Sequence, residues 1–209
     1  MNALDPLTYE YRAGSGDGPV LLLLHGTGGG PRDLVGLADF LAPGATILAP
    51  QGPVSEGGYA RWFRRLAEGV FDTEDVRRRA NQLAGFILAA GPEHGLDERP
   101  LVAVGFSNGA NIAAATLLLR PDALRQAILF ATMAALPDPP ALDLSRSRVF
   151  LSNGERDPMA PRPAADRLVD DLRTRGVDVT VEWHGGGHQV TVEGPEAARR
   201  WLETLPAAG

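Results

Sequence analysis

Two kinds of hydrophobic pattern alternate along the chain. Short uninterrupted apolar runs predict buried β-strands, and longer segments with apolar residues three or four positions apart predict amphipathic helices. The predicted strands are Val20–Leu24, Thr46–Ala49, Leu101–Val104, Ala127–Phe130, Val149–Leu151 and Val177–Trp183, with Thr8–Arg12 as a weaker edge strand. The predicted helices are Pro31–Leu41, Thr73–Ala90, Asn108–Leu119, Arg162–Arg175 and Pro195–Leu205. This alternation is typical of a mostly parallel sheet with helices on both faces.

The pattern predicts a single α/β domain over residues 1–209, with about six or seven strands in one central sheet. Three longer irregular segments each follow a predicted strand: Gln51–Arg61, Thr132–Ser147 and Gly185–Gly194. In open α/β folds such loops gather at the carboxyl edge of the sheet, where ligands bind. We therefore expect the chemistry of this protein at that edge.

Composition removes several classes of chemistry. The chain has no Cys, and all 20 of its basic residues are Arg. Thiolate nucleophiles, Cys-ligated zinc, iron–sulfur clusters and Schiff-base lysines are therefore excluded. A covalent nucleophile must be Ser, Thr, Tyr, His or a carboxylate, and we expect no cofactor.

The charge of the chain bears on its partners. A formal net charge of -6 disfavours nucleic acid as a partner. No stretch reaches about 18 consecutive apolar residues, so we expect no stable membrane insertion. The first residues lack the charged and apolar regions of a secretory signal, which predicts a cytoplasmic protein. The expected partner is a small molecule, and a homodimer is left open.

The segment Gly105-Phe106-Ser107-Asn108-Gly109 matches the pattern G-x-S-x-G. A buried-strand run precedes it and a helical run follows it, which is the context that a nucleophilic serine on a sharp strand-to-helix turn requires. Gly105 and Gly109 would leave room for that turn. Ser107 is the candidate nucleophile, and the alternative is that it only caps the helix.

Four histidines could act as the base: His25, His94, His184 and His188. His25 is tied to the turn after its strand, and His94 lies in a predicted surface loop. We favour His188 over His184 because three glycines separate it from the strand and let it reach the serine. The spacing of His184 and His188 also suggests a metal site, but a run of glycines opposes the helix that such a site needs, so no metal is predicted.

The candidate acid is Asp157, which comes just after the strand Val149–Leu151. Pro158 restrains Asp157 to an extended conformation, which suits a carboxylate fixed on a loop. Glu155 is the rival, and Asp138 and Asp143 are weaker alternatives. Any of these carboxylates could instead be an ordinary solvated charge.

The loop after the first buried strand reads His25-Gly26-Thr27-Gly28-Gly29-Gly30. Such a loop lets backbone N–H groups point inward without obstruction from side chains. We expect the N–H groups of Thr27 and Asn108 to bind a developing oxyanion. A phosphate-binding loop is disfavoured because Lys is absent and the glycines do not follow G-x-G-x-x-G.

These motifs and their order resemble the α/β-hydrolase fold, and most closely the small phospholipase/carboxylesterase family. The resemblance rests on the segments Leu24–Gly29, Gly105–Asn111, Gly154–Pro158, Gly187-His188 and Arg61-Trp62-Phe63. It implies an α/β-hydrolase with a triad in the order Ser, Asp, His. A length of 209 residues leaves no room for a large lid, so we expect a minimal form of that fold. Thr27 departs from the family, because many relatives have an apolar residue there.

The combined prediction is a serine hydrolase that cleaves carboxylic esters of short to medium acyl chains. Four side chains on loops at the carboxyl edge are expected to form the acyl wall, with plain core packing as the alternative: Trp62, Phe63, Met133 and Met159. Arg61, Arg64 and Arg65 could contact an anionic group of the substrate. Thioesterase or lysophospholipase activity on the same triad stays open, as does a non-catalytic receptor that reuses the fold.

Overall fold

The computed structural model describes residues 6–16, 18–67, 69–96 and 99–205. The strands are β1 Tyr9–Arg12, β2 Val20–Leu24, β3 Thr46–Pro50, β4 Val54–Glu56, β5 Tyr59–Arg61, β6 Arg65–Ala67, β7 Val70–Phe71, β8 Leu101–Phe106, β9 Gln126–Phe130, β10 Arg148–Gly154 and β11 Asp178–His184. The helices are α1 Val35–Leu41, α2 Thr73–His94, α3 Asn108–Leu119, α4 Arg162–Arg173 and α5 Glu193–Glu203.

Seven of these strands form one sheet in the order β1-β3-β2-β8-β9-β10-β11. Only β1 runs antiparallel, against β3, and the other neighbours pair in parallel. The predicted mostly parallel sheet is confirmed, including its weakly patterned edge strand. The carboxyl ends of β8, β10 and β11 consequently lie at the same edge.

Both faces of the sheet are buried, which explains why its central strands are apolar throughout. Along β2, Leu22 and Leu24 pack on the face covered by α2, α3 and α4, whereas Leu21 and Leu23 pack on the face covered by α1 and α5. Successive side chains of a strand point to opposite faces, so each face receives every second residue. The uninterrupted apolar run therefore serves two hydrophobic cores at once.

Helix α3 lies in the interior and is apolar on all sides. Its residues from Asn108 to Leu118 are all buried, and it packs against α2, β8 and β9. A helix surrounded by protein needs no polar face. Because α3 begins directly after Ser107, its packing fixes the position of that residue.

Two small hairpins, β4–β5 and β6–β7, and a longer α2 differ from the sequence-based expectation. The hairpin β4–β5 lies within Gln51–Arg61, where an irregular loop was expected, and it turns on Gly57 and Gly58, both at positive φ. Two such glycines give the two-residue turn that fits the twist of paired strands. Helix α2 continues to His94, where a surface loop was expected, and Gly95 ends it in the left-handed conformation.

Among the helices of the described ranges, none is long and apolar enough to cross a membrane.

Truncating the buried helix should test how far α3 supports the fold. Leu117 has no exposed surface, so Leu117→Ala is expected to lower the free energy of unfolding by about 2–5 kcal/mol through lost burial and a new cavity. Leu88→Ala is the control, because Leu88 on α2 is 47% exposed. Urea unfolding followed by circular dichroism measures both changes. Equal losses in the two variants would contradict the assignment of α3 to the core.

Candidate active site

Three polar side chains from separate loops meet at the carboxyl edge of the sheet. Ser107 follows β8, Asp157 follows β10 and His188 follows β11. His188 Nε2 lies 2.8 Å from Ser107 Oγ, and His188 Nδ1 lies 2.7 Å from Asp157 Oδ2. The structure thus brings together the three residues that the motifs singled out, in one continuous chain of hydrogen bonds.

Ser107 has a strained backbone conformation. Its φ is 54° and its ψ is -118°, in a region of backbone conformation that residues other than glycine rarely occupy. Such a conformation costs about 1–3 kcal/mol and persists only where the surroundings impose it. The Ser107 N–H donates to the Phe130 carbonyl at 2.9 Å, and the hydroxyl makes no capping bond to α3. The hydroxyl therefore points to His188 and does not serve as a helix cap.

The two glycines of the motif allow two different close approaches. A Cβ on Gly105 would lie 2.7 Å from the Ala110 backbone, across the turn itself. A Cβ on Gly109 would overlap the carbonyl oxygen of Leu24 at the end of β2. Gly105 therefore permits the sharp turn, whereas Gly109 lets the start of α3 press against the neighbouring strand. The expectation that both glycines clear the same turn is correct only for Gly105.

Asp157 is held by backbone donors as well as by the histidine. Its carboxylate is fully buried, and Oδ1 accepts hydrogen bonds from the N–H groups of Met159 at 2.8 Å and Ala160 at 3.0 Å. These bonds fix the carboxylate so that Oδ2 faces His188. The rivals Glu155, Asp138 and Asp143 are exposed, and Glu155 pairs with Arg162 instead.

The loop that carries His188 is tied to the loop that carries Asp157. The N–H of Glu155 donates to the His184 carbonyl at 2.9 Å, and the N–H of Arg156 donates to the Gly186 carbonyl at 3.1 Å. His184 itself turns back and accepts the Gly186 N–H at Nδ1. Within the described chain, no three His, Asp or Glu side chains are grouped so as to hold a metal ion.

The amides of Thr27 and Asn108 lie beside the triad. Both residues line the same cleft as Ser107 and His188. Neither backbone N–H donates a hydrogen bond to any described residue. Two unpaired donors at the start of a helix and in a glycine-rich loop suit the stabilisation of an anionic oxygen.

His25 fixes the glycine-rich loop from behind. Its Nε2 accepts the Gly52 N–H at 2.9 Å, so the proton lies on Nδ1, which donates to the Gly26 carbonyl at 2.7 Å. The side chain is buried, and this burial lowers the pKa of His25, against smaller opposing effects of Gly26 and Asp33. A neutral ring therefore joins the loop before Thr27 to the loop after β3.

Trp62 and Phe63 do not line the cleft. They are 1% and 0% exposed and belong to the hydrophobic core, which corrects the expectation that they form the acyl wall. The Trp62 indole donates to the His25 carbonyl at 2.9 Å, and its backbone N–H donates to Asn108 Oδ1 at 2.7 Å. Trp62 thus connects the segments that carry the two unpaired amides. Burial at this level depends on tertiary packing and was not evident from the aromatic pair itself.

The cleft above Ser107 measures about 350 Å³, and its walls combine apolar and polar side chains. Met133 and Met159 line this cleft, together with Phe71, which sequence reasoning missed; their role as an acyl wall stays a prediction. Asn111 was also missed: its Oδ1 accepts from the Thr132 hydroxyl at 3.1 Å and from the Met133 N–H at 2.9 Å. A polar residue among the mostly apolar residues of this buried helix was the available signal for Asn111.

Three arginines were expected near the site, and the structure separates them. Arg61 and Arg65 line the cleft. Arg64 points elsewhere and forms an ion pair of 2.7 Å with Asp72 at the start of α2. Only two of the three can therefore meet a ligand in this cleft.

Comparison with known proteins places this geometry in a class. The chain is 41% identical to a protein of Bacillus subtilis strain 168 named "Putative hydrolase MhqD", over 94% of this chain and 98% of the relative. The crystal structure of the Bacillus cereus carboxylesterase matches with a TM-score of 0.90 and 38% identity, covering 94% of this chain and 93% of that one. The structure of YahD with malic acid matches with a TM-score of 0.87 and 32% identity, covering 94% and 98%. No family model matches the chain.

The sheet order, the strand–turn–helix at Ser107 and these relatives define an α/β-hydrolase. Within that class the chain belongs to the family of small carboxylesterases that includes the Bacillus cereus enzyme and MhqD, and it is a carboxylic ester hydrolase.

Adding a methyl group at Gly109 tests the close contact between α3 and β2. Gly109→Ala is expected to destabilise the protein by several kcal/mol, because the new Cβ overlaps the Leu24 carbonyl and the backbone must shift. Gly36→Ala in α1 is the matched control: its Cβ meets nothing within 4 Å, and alanine favours the helix. Thermal unfolding compares the two. A Gly109→Ala protein as stable as Gly36→Ala would rule out the contact.

The buried neutral His25 predicts a pH dependence of stability. The folded-state pKa lies below the ordinary value of 6.5, so below that pH the unfolded chain binds a proton that the folded chain does not. The free energy of unfolding is therefore expected to be fully retained above pH 6.5 and to fall below it, by at most about 1.4 kcal/mol per pH unit from this residue. Urea unfolding between about pH 8 and pH 5 should show a shallower fall for His25→Gln. Parallel curves for the two proteins would contradict this role.

Proposed function

We propose that Ser107 is the nucleophile of an acyl-transfer reaction in which His188 is the base and Asp157 orients the histidine. The observation that carries the proposal is the hydrogen-bonded series Ser107 Oγ, His188 and Asp157, at 2.8 and 2.7 Å, on a strained serine between β8 and α3. Nucleophile, base and orienting carboxylate within hydrogen-bond reach are the arrangement that activates a serine hydroxyl.

In the proposed first step, Ser107 Oγ attacks the carbonyl carbon of the ester and His188 Nε2 takes the hydroxyl proton. Asp157, hydrogen-bonded to Nδ1, holds the imidazole in the required tautomer and stabilises its charged form. The carbonyl oxygen becomes an oxyanion, and the N–H groups of Thr27 and Asn108 donate to it. His188 then gives its proton to the leaving alcohol as the C–O bond breaks.

The second step releases the acid. Water attacks the acyl group on Ser107 while His188 accepts its proton, and the same two amides hold the second oxyanion. Collapse of this intermediate returns the proton to Ser107 and frees a carboxylic acid. The residues present complete this cycle by themselves, and the proposal assigns no step to a metal or a cofactor.

The cleft supports substrates of limited size. Its volume of about 350 Å³ and the apolar side chains of Phe71, Met133 and Met159 suit a short to medium acyl chain. YahD was solved with malic acid, and a carboxylic acid is the class of product that ester hydrolysis releases. The proposed partner is therefore a small-molecule ester.

No contact in the cleft favours the alternatives that the sequence leaves open. A thioester or a lysophospholipid would use the same triad, and no described residue is specific for sulfur or for a choline group. A non-catalytic receptor would gain nothing from a strained serine, whereas catalysis uses it. A cytoplasmic location and a homodimer stay predictions from the sequence.

Removing the hydroxyl of Ser107 tests the proposal. Ser107→Ala is expected to reduce kcat/KM on p-nitrophenyl butyrate by about a thousandfold or more, because the acyl-enzyme cannot form. A fluorophosphonate probe should label the wild type at Ser107 and leave the variant unlabelled.

Ser145→Ala is the control, because Ser145 lies exposed in the loop before β10, where it hydrogen-bonds Asp143, and it does not line the cleft. It should keep wild-type turnover and labelling. A Ser107→Ala protein that unfolds like the wild type and retains a tenth of the rate would refute the assignment.

A further inference from the structure

The charged side chains of the cleft are all basic. Apart from His188, the charged residues that line it in the described part of the chain are Arg61 and Arg65, and no Asp or Glu is among them. The chain as a whole carries a net charge of -6, so this local excess of positive charge runs against its composition. A basic lining next to a reactive serine indicates selection for an anionic ligand.

A single carboxylate, that of Glu56, lies close to both arginines. Glu56 Oε1 lies 2.7 Å from Arg65 Nε, and Glu56 Oε2 lies 3.4 Å from Arg61 Nε but accepts no hydrogen bond from a described residue. Both guanidinium groups lower the pKa of Glu56, Arg65 more strongly through its hydrogen bond, so the carboxylate is charged. The three groups together leave an excess of one positive charge at the cleft.

Arg61 is fixed beside Thr27 in the wall of the cleft. It is 4% exposed, its Nη1 donates to Thr27 Oγ1 at 3.1 Å, and its Nε donates to the Phe63 carbonyl at 3.3 Å. Its Nη2 has no acceptor among the described residues, and the same is true of the two terminal nitrogens of Arg65. Both guanidinium groups therefore have N–H donors available to a ligand in the cleft.

We infer that the cleft binds esters that carry a carboxylate group a few bonds from the scissile carbonyl, with Arg61 and Arg65 as the residues that bind this carboxylate. The inference rests on the proposed function and names its substrate class. Guanidinium groups match a carboxylate in geometry and form charge-assisted hydrogen bonds with it. A carboxylate carries one negative charge and so balances the excess, whereas a phosphate monoester carries up to about two.

Matched substrate pairs test the inference on either side of the ester. Monomethyl adipate is compared with methyl adipamate, and p-acetoxybenzoate with p-acetoxybenzamide, so that each acid meets a neutral analogue of nearly the same shape. The wild type is expected to prefer the acid by about tenfold in kcat/KM for at least one pair, as one charge-assisted hydrogen bond allows. Equal kcat/KM within both pairs would overturn the inference, as would a stronger preference for p-acetoxyphenyl phosphate.

Variants assign the preference to residues. Arg65→Gln and Arg61→Gln should each lower the ratio of acid to amide by about tenfold. The ratio isolates recognition of the carboxylate, because damage to the loop around Thr27 slows both members of a pair alike. Arg65 is partly exposed on the hairpin β6–β7, so Arg65→Gln is expected to fold. It therefore tests the inference even if Arg61→Gln does not fold.

Arg64→Gln is the matched control. It removes the same charge from the residue next to Arg65, and the Arg64 side chain pairs with Asp72 and does not line the cleft. It should leave the ratio unchanged, and an equal fall in this variant would contradict a local role of the other two. Fluorophosphonate labelling and turnover of p-nitrophenyl butyrate are measured alongside. If the wild type shows neither labelling nor turnover, the proposed function is wrong. If it shows both but does not prefer the acids, only this inference is wrong.

Discussion

The structure depends on how closely the start of α3 approaches the ends of β2 and β8. Ser107 occupies its strained conformation because the strand and the buried helix on either side of it are both held by the core, and Gly109 leaves no gap between helix and strand. The strain of about 1–3 kcal/mol is offset by the burial of α3. The same approach presents the N-terminus of α3 to the cleft, so one packing contact sets both the direction of the hydroxyl and the position of the Asn108 amide, the proposed oxyanion donor.

A second layer of buried polar contacts holds the loops around that turn. Asn153 accepts the Thr132 N–H and donates to the Thr132 carbonyl, while Asn111 accepts from Thr132 and Met133. Ala131, just before them, is the other described residue besides Ser107 that has a positive φ without being glycine. These hydrogen bonds satisfy the buried polar atoms that make them, which avoids the cost of leaving those atoms without partners. The wall that carries Met133 is therefore as firmly placed as the triad beside it.

The sequence was informative where local pattern and chemistry coincide. An apolar strand, a glycine, a serine and a helical run specify the turn at Ser107, and the resemblance to a family orders the residues on later loops. It was uninformative where packing decides: Trp62 and Phe63 directly follow the hairpin β4–β5, yet they are buried in the core, where their rings contact His25 and Phe71. That hairpin turns on Gly57 and Gly58, and this pair of glycines was a signal for a two-residue turn that the sequence analysis did not use. The role of Asn111 required knowing which loop faces α3.

The hairpin also explains why arginine suits position 61. The guanidinium group donates to Thr27 Oγ1 and to the Phe63 carbonyl with two different nitrogens, and its third nitrogen has no acceptor among the described residues, a geometry that the single ammonium of lysine does not reproduce. Trp62, the next residue, reaches His25 and Asn108 on the other side of the backbone. Two neighbouring residues of one short segment thus fix the glycine-rich loop and the start of α3 relative to each other. The proposed binding of a carboxylate and the proposed stabilisation of an oxyanion are therefore coupled, because both would depend on the position of the Thr27 amide.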